Sequence, residues 1–569
     1  MEVKFIYVLY VVLLLFSPGF FYIHSVLGGV KKPNVVLITV NHFGLNTLDN
    51  YRGYLKNIRR LSEESIQFSH AYSQLYPTSS RAALLTGRLP VKTGMLKGRF
   101  LPFSSLPSIA SSGGLPLNEE TLAESLEKNG YTNKFIGLWD QGLGKKGKYL
   151  PLKQGFRSWF GIVTQHSYSC SSPPIKPHDG DEAFVNEALW LFLYGLCWSL
   201  FIATALWCLF FLKAKFLSLL IILGVVLYAT NSNAPFIVVK SCVLFRNDQI
   251  IAQPYNVENI TLRFTDDALD FIKTAANPFF LMVNHLALSQ PLFTSPFFKN
   301  TSGKNDVILD SLVELDWSVG SILAAIESSN LTDDTIIVFT ALSGEIYSNN
   351  DRVCNSSLNK TENNDDCHPR FFRENVMSVI SNWERHIKVP LFIKWPKFLS
   401  YHRVLNQTVT LMDVMPTILD LANASYSSDT LHGKSLCGVI NGTTESLHSY
   451  IYHYLDVTRP SAITHNEYKL LYSTMSEHGI IHHDPPILFN IRKDPGETSP
   501  LINEDHLDIV TNISEARDKH LENRTRKWIS QFEYPILPWL FPCANFPYCH
   551  RRDISKLKHI FYNESGLFS

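Results

Sequence analysis

The chain has 569 residues, with 51 Lys and Arg against 51 Asp and Glu, so its formal net charge is zero. This balance argues against a nucleic-acid binder, and the length predicts one large domain with a smaller one. Hydrophobic residues make up 45% of the chain, and two stretches, at the N-terminus and in the middle, hold much of the excess.

The N-terminal stretch predicts a secretory signal peptide. Lys4 precedes an apolar run from Phe5 to Phe16, and small residues follow as far as Gly29. Because the run is short for a membrane span, we predict that residues 1–29 are cleaved. An uncleaved signal anchor is the alternative.

The next segments alternate between strand and helix patterns and predict an α/β domain. The β-branched run in residues 31–40 predicts a buried parallel strand, residues 57–69 have helical spacing, and another helix is predicted to begin at Ala82. An amphipathic helix over residues 120–129 ends at Gly130, and a strand over residues 134–138 follows.

The apolar stretch in the middle predicts a transmembrane helical hairpin, which we place at residues 184–240. Residues 188–212 carry no charge, two lysines follow in residues 213–215, and residues 216–239 again carry none. Each run is longer than the ~20 residues that cross a bilayer core as a helix. The lysines place the tip in the cytosol and both flanking parts in the lumen. A buried pair of helices in a soluble domain is the alternative.

After the hairpin, strands at residues 278–285 and 334–340 flank a long helix at residues 311–328, and a loop rich in Asn, Asp and Ser spans residues 347–366. In sheets of this kind, ligands bind beyond the carboxyl ends of the strands. Attention therefore falls on Asn41 and His42, which follow the first strand, and on Leu342 and Ser343, which follow a late one.

The pattern changes at about residue 444. Short strands at residues 450–454, 468–473 and 487–491 precede a helix near residues 507–527. We predict a smaller α+β domain at the C-terminal end.

Sequons and cysteines agree with a lumenal location. Eleven Asn-x-Ser/Thr sites are present, at Asn259, Asn300, Asn330, Asn355, Asn359, Asn406, Asn423, Asn441, Asn512, Asn523 and Asn563. In an oxidising lumen the candidate disulfides are Cys170–Cys242 at the base of the hairpin, Cys354–Cys367 and Cys543–Cys549, which leave Cys437 single.

One segment resembles a known enzyme signature. Residues 77–88, PTSSRAALLTGR, resemble the sulfatase signature Cys-x-Pro-Ser-Arg followed by Ala-Ala-Leu-Leu-Thr-Gly-Arg. Similar segments continue in family order at residues 130–144, 314–320, 383–390, 413–417, 482–486 and 493–495. The hairpin and residues 111–116 are similar to the steroid sulfatase and arylsulfatase D, E, F and H type.

The resemblance implies an alkaline phosphatase-like sulfatase fold with a large mixed, mostly parallel sheet. Residues 30–183 and 241–443 would form the two parts of the sulfatase domain around the hairpin, and residues 444–569 the C-terminal α+β subdomain.

The family's catalytic residues are almost all replaced. Sulfatases use a formylglycine made from the signature Cys, a calcium ion, and Lys and His residues that neutralise the sulfate and protonate the leaving oxygen. The nucleophile position falls on Pro77, which has no side-chain heteroatom, and Thr78 is adjacent to it. The Lys and His positions fall on Leu138, Asp140, Ser289 and, in an uncertain register, near Val379. The signature Arg is kept as Arg81, which would either attract sulfate weakly or pair with Asp140.

The calcium positions have lost every carboxylate. The family's paired Asp falls on Asn41 and His42, and the later Asp with its amide partner falls on Leu342 and Ser343. A hard dication requires several oxygen ligands, usually negative ones, so we expect no family-type calcium site and no other cofactor. His42 and Asp140 alone are too few for zinc.

Three functions follow from this reading. The first is a catalytically inactive, sulfatase-like membrane glycoprotein of the endoplasmic reticulum that binds a sulfatase paralogue or a steroid- or lipid-like ligand. The second is a sulfuric ester hydrolase with unorthodox residues, with Thr78 as its nucleophile. The third is a structural glycoprotein without a ligand. The missing nucleophile and carboxylates disfavour the second, and an open or a filled pocket separates the first from the third.

Overall fold

The structure is a computed structural model that describes residues 32–98, 109–164, 170, 242–289, 292–304, 306–345, 352–354, 367–369, 381–399, 403–476, 479–522, 529–545 and 549–551. The predicted signal peptide, the predicted hairpin and Val379 lie outside these residues, as does most of the loop at residues 347–366. None of the helices within the described ranges is long and apolar enough to cross a membrane.

Strands form three sheets in the described part of the chain. In chain order they are β1 Asn34–Val40, β2 Ile66–Tyr72, β3 Thr132–Leu138, β4 Ser158–Ile162, β5 Leu244–Arg246, β6 Gln249–Ala252, β7 Phe279–His285, β8 Thr335–Ala341, β9 Arg352–Cys354, β10 Cys367–Pro369, β11 Lys388–Val389, β12 Leu391–Lys394, β13 Arg403–Thr410, β14 Ile451–Tyr454, β15 Pro460–His465, β16 Tyr468–Ser476 and β17 Gly479–Asn490.

Helices connect and cover the strands. The α-helices described are Leu45–Asn50, Lys56–Glu63, Pro77–Thr86, Pro90–Thr93, Leu122–Lys128, Ile260–Thr274, Val307–Ser328, Glu384–Ile387, Val414–Leu421, Cys437–Ile440 and Leu507–Glu522. Short 3-10 turns lie at Lys145–Gly147, Pro151–Lys153, Leu411–Asp413, Asn503–His506, Gln531–Glu533 and Pro538–Leu540.

The large sheet has eleven strands in the order β11-β2-β12-β8-β1-β7-β3-β4-β5-β6, with β13 also paired to β2. Its centre, from β8 through β1, β7 and β3 to β4, is parallel. Every residue of β1, β7 and β8 is buried, as expected for parallel strands with helices on both faces. This confirms the predicted α/β domain with a large mixed sheet.

The proportion of parallel pairing is lower than predicted. Strands β11 and β12 on one side and β5 and β6 on the other pair antiparallel, so five of the ten pairings described in this sheet are parallel and five antiparallel. Short antiparallel strands at the margins carry weak sequence patterns, and for that reason the sequence indicated only the parallel centre.

Two predicted helices have the wrong limits. The helix predicted over residues 57–69 ends at Glu63, and Ile66–Tyr72 is instead a strand that pairs with β12 and β13. The strands on both sides of Ile66–Tyr72 are distant from it in the sequence, so nothing in the local sequence indicates this pairing. The helix predicted to begin at Ala82 begins at Pro77, whose fixed φ and missing N–H suit the first helical position.

The C-terminal part is the predicted α+β unit. Strands β14 to β17 form an antiparallel sheet, and the helix Leu507–Glu522 packs Ile513 against Ile463, Leu470 and Leu488.

Two of the predicted disulfides are formed. Cys170 bonds to Cys242 across a Cα–Cα distance of 5.8 Å, and Cys543 bonds to Cys549. Cys354 and Cys367 are partners in the register of β9 and β10. Cys437 is free, as predicted.

A buried carboxyl group on the long helix predicts an unusual dependence of stability on pH. The carboxylate of Glu314 accepts hydrogen bonds from Thr294 Oγ1 at 3.0 Å and from the Ser295 N–H at 2.9 Å, and only 1% of the residue is exposed. Burial raises its pKa from 4.5 to about 7, with the hydrogen bonds acting in the opposite direction.

Because the folded pKa is raised, the contribution of Glu314 to stability is complete below the unfolded pKa and is lost as the pH rises through about 7. We expect the free energy of unfolding of the wild type to fall by about 2 kcal/mol more than that of Glu314→Gln between pH 5 and pH 8. Urea unfolding at both pH values measures this. Glu327→Gln, an exposed position on the same helix, is the control. If the free energy of unfolding changed equally between the two pH values in all three proteins, the raised pKa of Glu314 would be contradicted.

Candidate functional site

The residues singled out from the sequence meet at one edge of the large sheet. Strands β8, β1, β7 and β3 are neighbours, and their carboxyl ends lead into Leu342 and Ser343, Asn41 and His42, Ser289, and Leu138 with Asp140. Each of these seven residues is at most 4% exposed. These positions therefore lie together at one edge of the sheet.

The helix Pro77–Thr86 supplies the other three positions. Tyr76 is extended, Pro77 is the first helical residue, and the helix ends at Gly87, which has a positive φ of 62° and donates its N–H to Ala83 at 2.8 Å. Thr78 and Arg81, three residues apart, lie on one face of this helix and both contact Asp140.

A chain of polar contacts connects these elements. The Thr78 hydroxyl donates to Asp140 Oδ2, and Arg81 Nη1 lies 3.5 Å from the same oxygen. Arg81 Nη2 donates to Asn41 Oδ1 at 2.9 Å, and Asn41 Nδ2 donates to Ser289 Oγ at 3.0 Å. Of the two alternatives for Arg81, the pairing with Asp140 is present in the structure. These side-chain contacts connect the helix Pro77–Thr86 to the segments that follow β1, β3 and β7.

Burial dominates the electrostatics of the ion pair. It raises the pKa of Asp140 from 3.8 to about 6, while Arg81 and the Thr78 hydrogen bond act to lower it. Burial also lowers the pKa of Arg81 to about 10, against the attraction of Asp140. Arg81 stays protonated at neutral pH, and Asp140 is the anion that balances it.

The positions of the family's calcium ligands do not suit a calcium ion. The side-chain oxygen of Asn41 accepts from the guanidinium of Arg81, Leu342 has no donor atom, and Ser343 Oγ donates to backbone carbonyls of Leu75 and His386 at 3.3 and 3.1 Å. Burial, with His386 acting in the same direction, lowers the pKa of His42 to about 3, so this ring is neutral. Among the described residues, no three His, Cys, Asp or Glu side chains lie close enough together to hold a metal ion.

Two further polar residues at this edge were not predicted. Gln141 Nε2 donates to the backbone oxygens of Thr78 and Asp140, each at 2.9 Å. His285, the last residue of β7, is fully buried, neither ring nitrogen has a hydrogen-bond partner in the described structure, and burial lowers its pKa to about 4. The sequence feature that could have identified His285 as a site residue is its place at the carboxyl end of a buried strand.

A narrow cavity lies beside His42 at this edge of the sheet. A cavity beside His42 contains about 270 Å³ not filled by atoms, its open mouth included, and is lined by Thr47, Tyr51, Leu288, Ile308, Leu312 and Glu345. The gaps are so narrow that only about one water molecule fits. That is too little for a sulfate ester.

Comparison with known proteins agrees with the fold. Residues 33–424 match the sulfatase family model, and residues 446–551 match the model of the C-terminal region of aryl-sulfatase. Human steryl-sulfatase is 28% identical over 90% of this chain and 92% of its own length, and dog arylsulfatase H is 29% identical over 91% and 97%. Mouse steryl-sulfatase is 30% identical over 86% of this chain and 82% of its own length.

Solved structures agree on the fold. A sulfatase from Pseudoalteromonas sp. superimposes with a TM-score of 0.62, at 19% identity over 88% of this chain and 92% of that one. The sheet, the signature helix Pro77–Thr86 and the two family matches, which together extend from residue 33 to residue 551, lead to one conclusion: the chain belongs to the sulfatase family.

Proposed function

We propose that this sulfatase-family chain is a catalytically inactive membrane glycoprotein of the secretory pathway, in which the former active site stabilises the fold. One observation carries the proposal: at the position of a calcium ligand, Asn41 is neutral, and its side-chain oxygen accepts from Arg81, which pairs with Asp140. A dication at these positions would find no carboxylate among Asn41, His42, Leu342 and Ser343 to offset its charge and that of the guanidinium.

The nucleophile position supports the same proposal. Sulfate transfer requires an activated oxygen nucleophile and groups that stabilise the charge that develops in the transition state. Pro77 offers no heteroatom, and Leu138 offers no charge where the family has a Lys. The replaced groups are mutually compatible, since the remaining cation has an anion and the amide of Asn41 has partners at both ends. A buried site adjusted in this way avoids unpaired charge.

The sequence supports a location in the membrane of the endoplasmic reticulum. We propose that residues 184–240 form the transmembrane hairpin with its tip in the cytosol, and that both main domains are lumenal. The disulfide between Cys170 and Cys242 and the eleven sequons suit an oxidising, glycosylating compartment. Human steryl-sulfatase and dog arylsulfatase H align over 90% and 91% of the chain.

Binding is the activity that remains for such a protein. The cavity beside His42 is too narrow for such a ligand, so we propose that a sulfatase paralogue or a steroid- or lipid-like molecule binds at the surface or at the base of the hairpin. A structural glycoprotein without any ligand is the alternative.

A hydrolase that uses Thr78 is the second candidate, because one contact favours it. The hydroxyl of Thr78 donates to Asp140, whose raised pKa of about 6 suits a general base. Against this candidate, Arg81 pairs with the same carboxylate, and neither Thr78 nor Asp140 is exposed by more than 1%.

The deciding experiment is sulfatase activity of the full chain, purified after co-expression with the formylglycine-generating enzyme. We expect no hydrolysis of a generic aryl sulfate above that of Thr78→Val, whether or not calcium is added. Pro77→Cys is expected to stay inactive as well, because the calcium ligands remain absent. Human steryl-sulfatase prepared in the same way is the positive control.

A calcium titration of thermal unfolding is the companion measurement. A ligand present at 100 times its Kd stabilises by about 2.7 kcal/mol, so a specific site would raise the Tm visibly. We expect no change in Tm. Turnover that depends on calcium and disappears in Thr78→Val would refute the inactive reading and support the second candidate.

A further inference from the structure

The C-terminal segment at residues 529–545, here called the strap, presents large apolar side chains to solvent. Trp539 is 75% exposed, Ile536 56% and Tyr534 40%, whereas Phe532 and Leu540 in the same segment are buried. The strap therefore has an inner face that packs on the large domain and an outer apolar face, formed by Tyr534, Ile536 and Trp539.

The outer face is held in place by backbone hydrogen bonds. Ile536 forms a β-bridge with Ser111, the Leu537 N–H donates to Ala110 at 3.0 Å, and the Ser112 N–H donates to Pro535 at 3.1 Å. The Leu540 N–H donates to Leu537 at 2.9 Å, which closes the turn that carries Trp539. A fixed backbone with an indole directed outwards is typical of a contact surface.

The strap continues to the base of the apolar insertion. Gln253 Nε2 donates to Pro542 at 2.9 Å, and its Oε1 accepts from the Ala544 N–H at 2.9 Å. Two residues further along, the Tyr255 N–H donates to Cys242 at 3.3 Å, and Cys242 is bonded to Cys170. Trp539 is only three residues from Pro542, a reach of at most ~11 Å.

The disulfide marks where the insertion leaves and rejoins the large domain. Residues 171–241 lie between its two cysteines and contain both charge-free runs. If those runs cross a bilayer, the membrane surface meets the protein at this disulfide, on the side of the large domain where the strap ends. Trp and Tyr are the side chains enriched at the boundary between lipid headgroups and hydrocarbon.

We propose that Tyr534, Ile536 and Trp539 form a membrane-interface patch that rests in the headgroup region of the lumenal leaflet. The inference rests on the proposed membrane hairpin and adds a second lipid contact, which fixes the orientation of the lumenal domain on the bilayer. Continuity with the base of the insertion favours lipid over a protein partner.

Quenching of tryptophan fluorescence by brominated lipid tests this inference. The full chain is reconstituted into phosphatidylcholine vesicles with bromine either near the headgroup or deep in the acyl chain. The chain has ten Trp, and Trp190, Trp198 and Trp207 lie within the first charge-free run. The difference between the wild type and Trp539→Phe isolates the signal of Trp539 from theirs.

We expect shallow bromine to reduce this difference signal at least about twofold and deep bromine to reduce it much less. Trp317→Phe, at a half-buried site beside Phe298, is the matched control, and its difference signal is expected not to depend on bromine. Extraction with alkaline carbonate reports separately on the hairpin. A chain that resists extraction but shows no quenching of Trp539 overturns the patch alone. A chain that is released without quenching overturns the patch and the proposed hairpin together, and quenching by shallow and deep bromine alike overturns the interfacial placement.

Discussion

Arg81→Met is expected to destabilise the folded chain by about 3–5 kcal/mol, because it leaves Asp140 buried and without its counter-charge. Arg81 and Asp140 have side chains exposed by 0% and 1%, so solvent cannot replace the lost partner. The substitution also removes the donor to Asn41 Oδ1, whose oxygen then faces the interior. Chemical unfolding of the purified chain, followed by circular dichroism, measures the change.

The penalty should depend on pH in a defined direction. The folded pKa of Asp140, about 6, lies above its unfolded value, and without Arg81 it rises further. The stability contributed by the protonated form is complete below the unfolded pKa and is lost as the pH rises through the folded pKa. We therefore expect Arg81→Met to be less destabilising at pH 5 than at pH 8.

Two variants provide the controls. Arg60→Met removes the pairing with Glu327 at 3.0 Å, where the two side chains are 45% and 44% exposed, and should have a much smaller effect. The double variant Arg81→Met with Asp140→Leu should recover most of the loss, because no charge is left buried. If Arg81→Met were no worse than Arg60→Met, Arg81 would not be a structural residue, and an anion-binding role would become the better assignment.

The location of the site could be predicted because parallel strands end at a common edge. Asn41, Leu342 and Asp140 follow strands that are hydrophobic enough to recognise, and their convergence follows from the α/β pattern. The resemblance in residues 77–88 implies the former role of each position, so the roles of Pro77 and Arg81 are predictable from the sequence alone.

The contacts within the site could not all be predicted. The ion pair of Arg81 with Asp140 was one of two alternatives, and its extension through Asn41 to Ser289 depends on side-chain orientations that strand patterns do not encode. His285 was passed over because a buried strand ending in His has the same pattern as any other apolar strand. The sequence pattern predicts helix where the strand Ile66–Tyr72 lies, because the partners of this strand, β12 and β13, are more than 300 residues away.

The contact between the large domain and the C-terminal sheet contains a second buried cation. Lys469 on β16 is fully buried, and its Nζ lies 3.1 Å from Glu384 Oε1 and 2.9 Å from Glu497 Oε1. Tyr72 on β2 donates its hydroxyl to Glu384 at 2.9 Å, and the Glu384 N–H donates to Glu497 at 2.6 Å. One lysine thus separates two carboxylates that belong to different parts of the fold.

Lys469→Met is expected to destabilise the chain by at least about 3–5 kcal/mol, since it leaves two buried carboxylates facing each other without a cation. Burial already raises the pKa of Glu497, with Lys469 acting to lower it. Loss of the lysine raises that pKa further, so stability of the variant is retained at acidic pH and lost as the pH rises. Unfolding free energies at pH 5 and pH 8 measure the size of the destabilisation and the direction in which it changes with pH.

Hydrogen exchange locates the effect. Because Lys469 lies on β16 and Glu384 belongs to the large domain, amides of β14 to β17 should exchange faster in Lys469→Met than in the wild type, while those of β1 and β7 change less. Lys394→Met is the matched control, because Lys394 pairs with Glu64, which is 38% exposed and can be rehydrated. Equal losses in the two variants would mean that the buried cluster contributes no more than a surface pair. A selective loss for Lys469→Met would show that the sheet of β14 to β17 is held to the large domain by charge as well as by apolar packing.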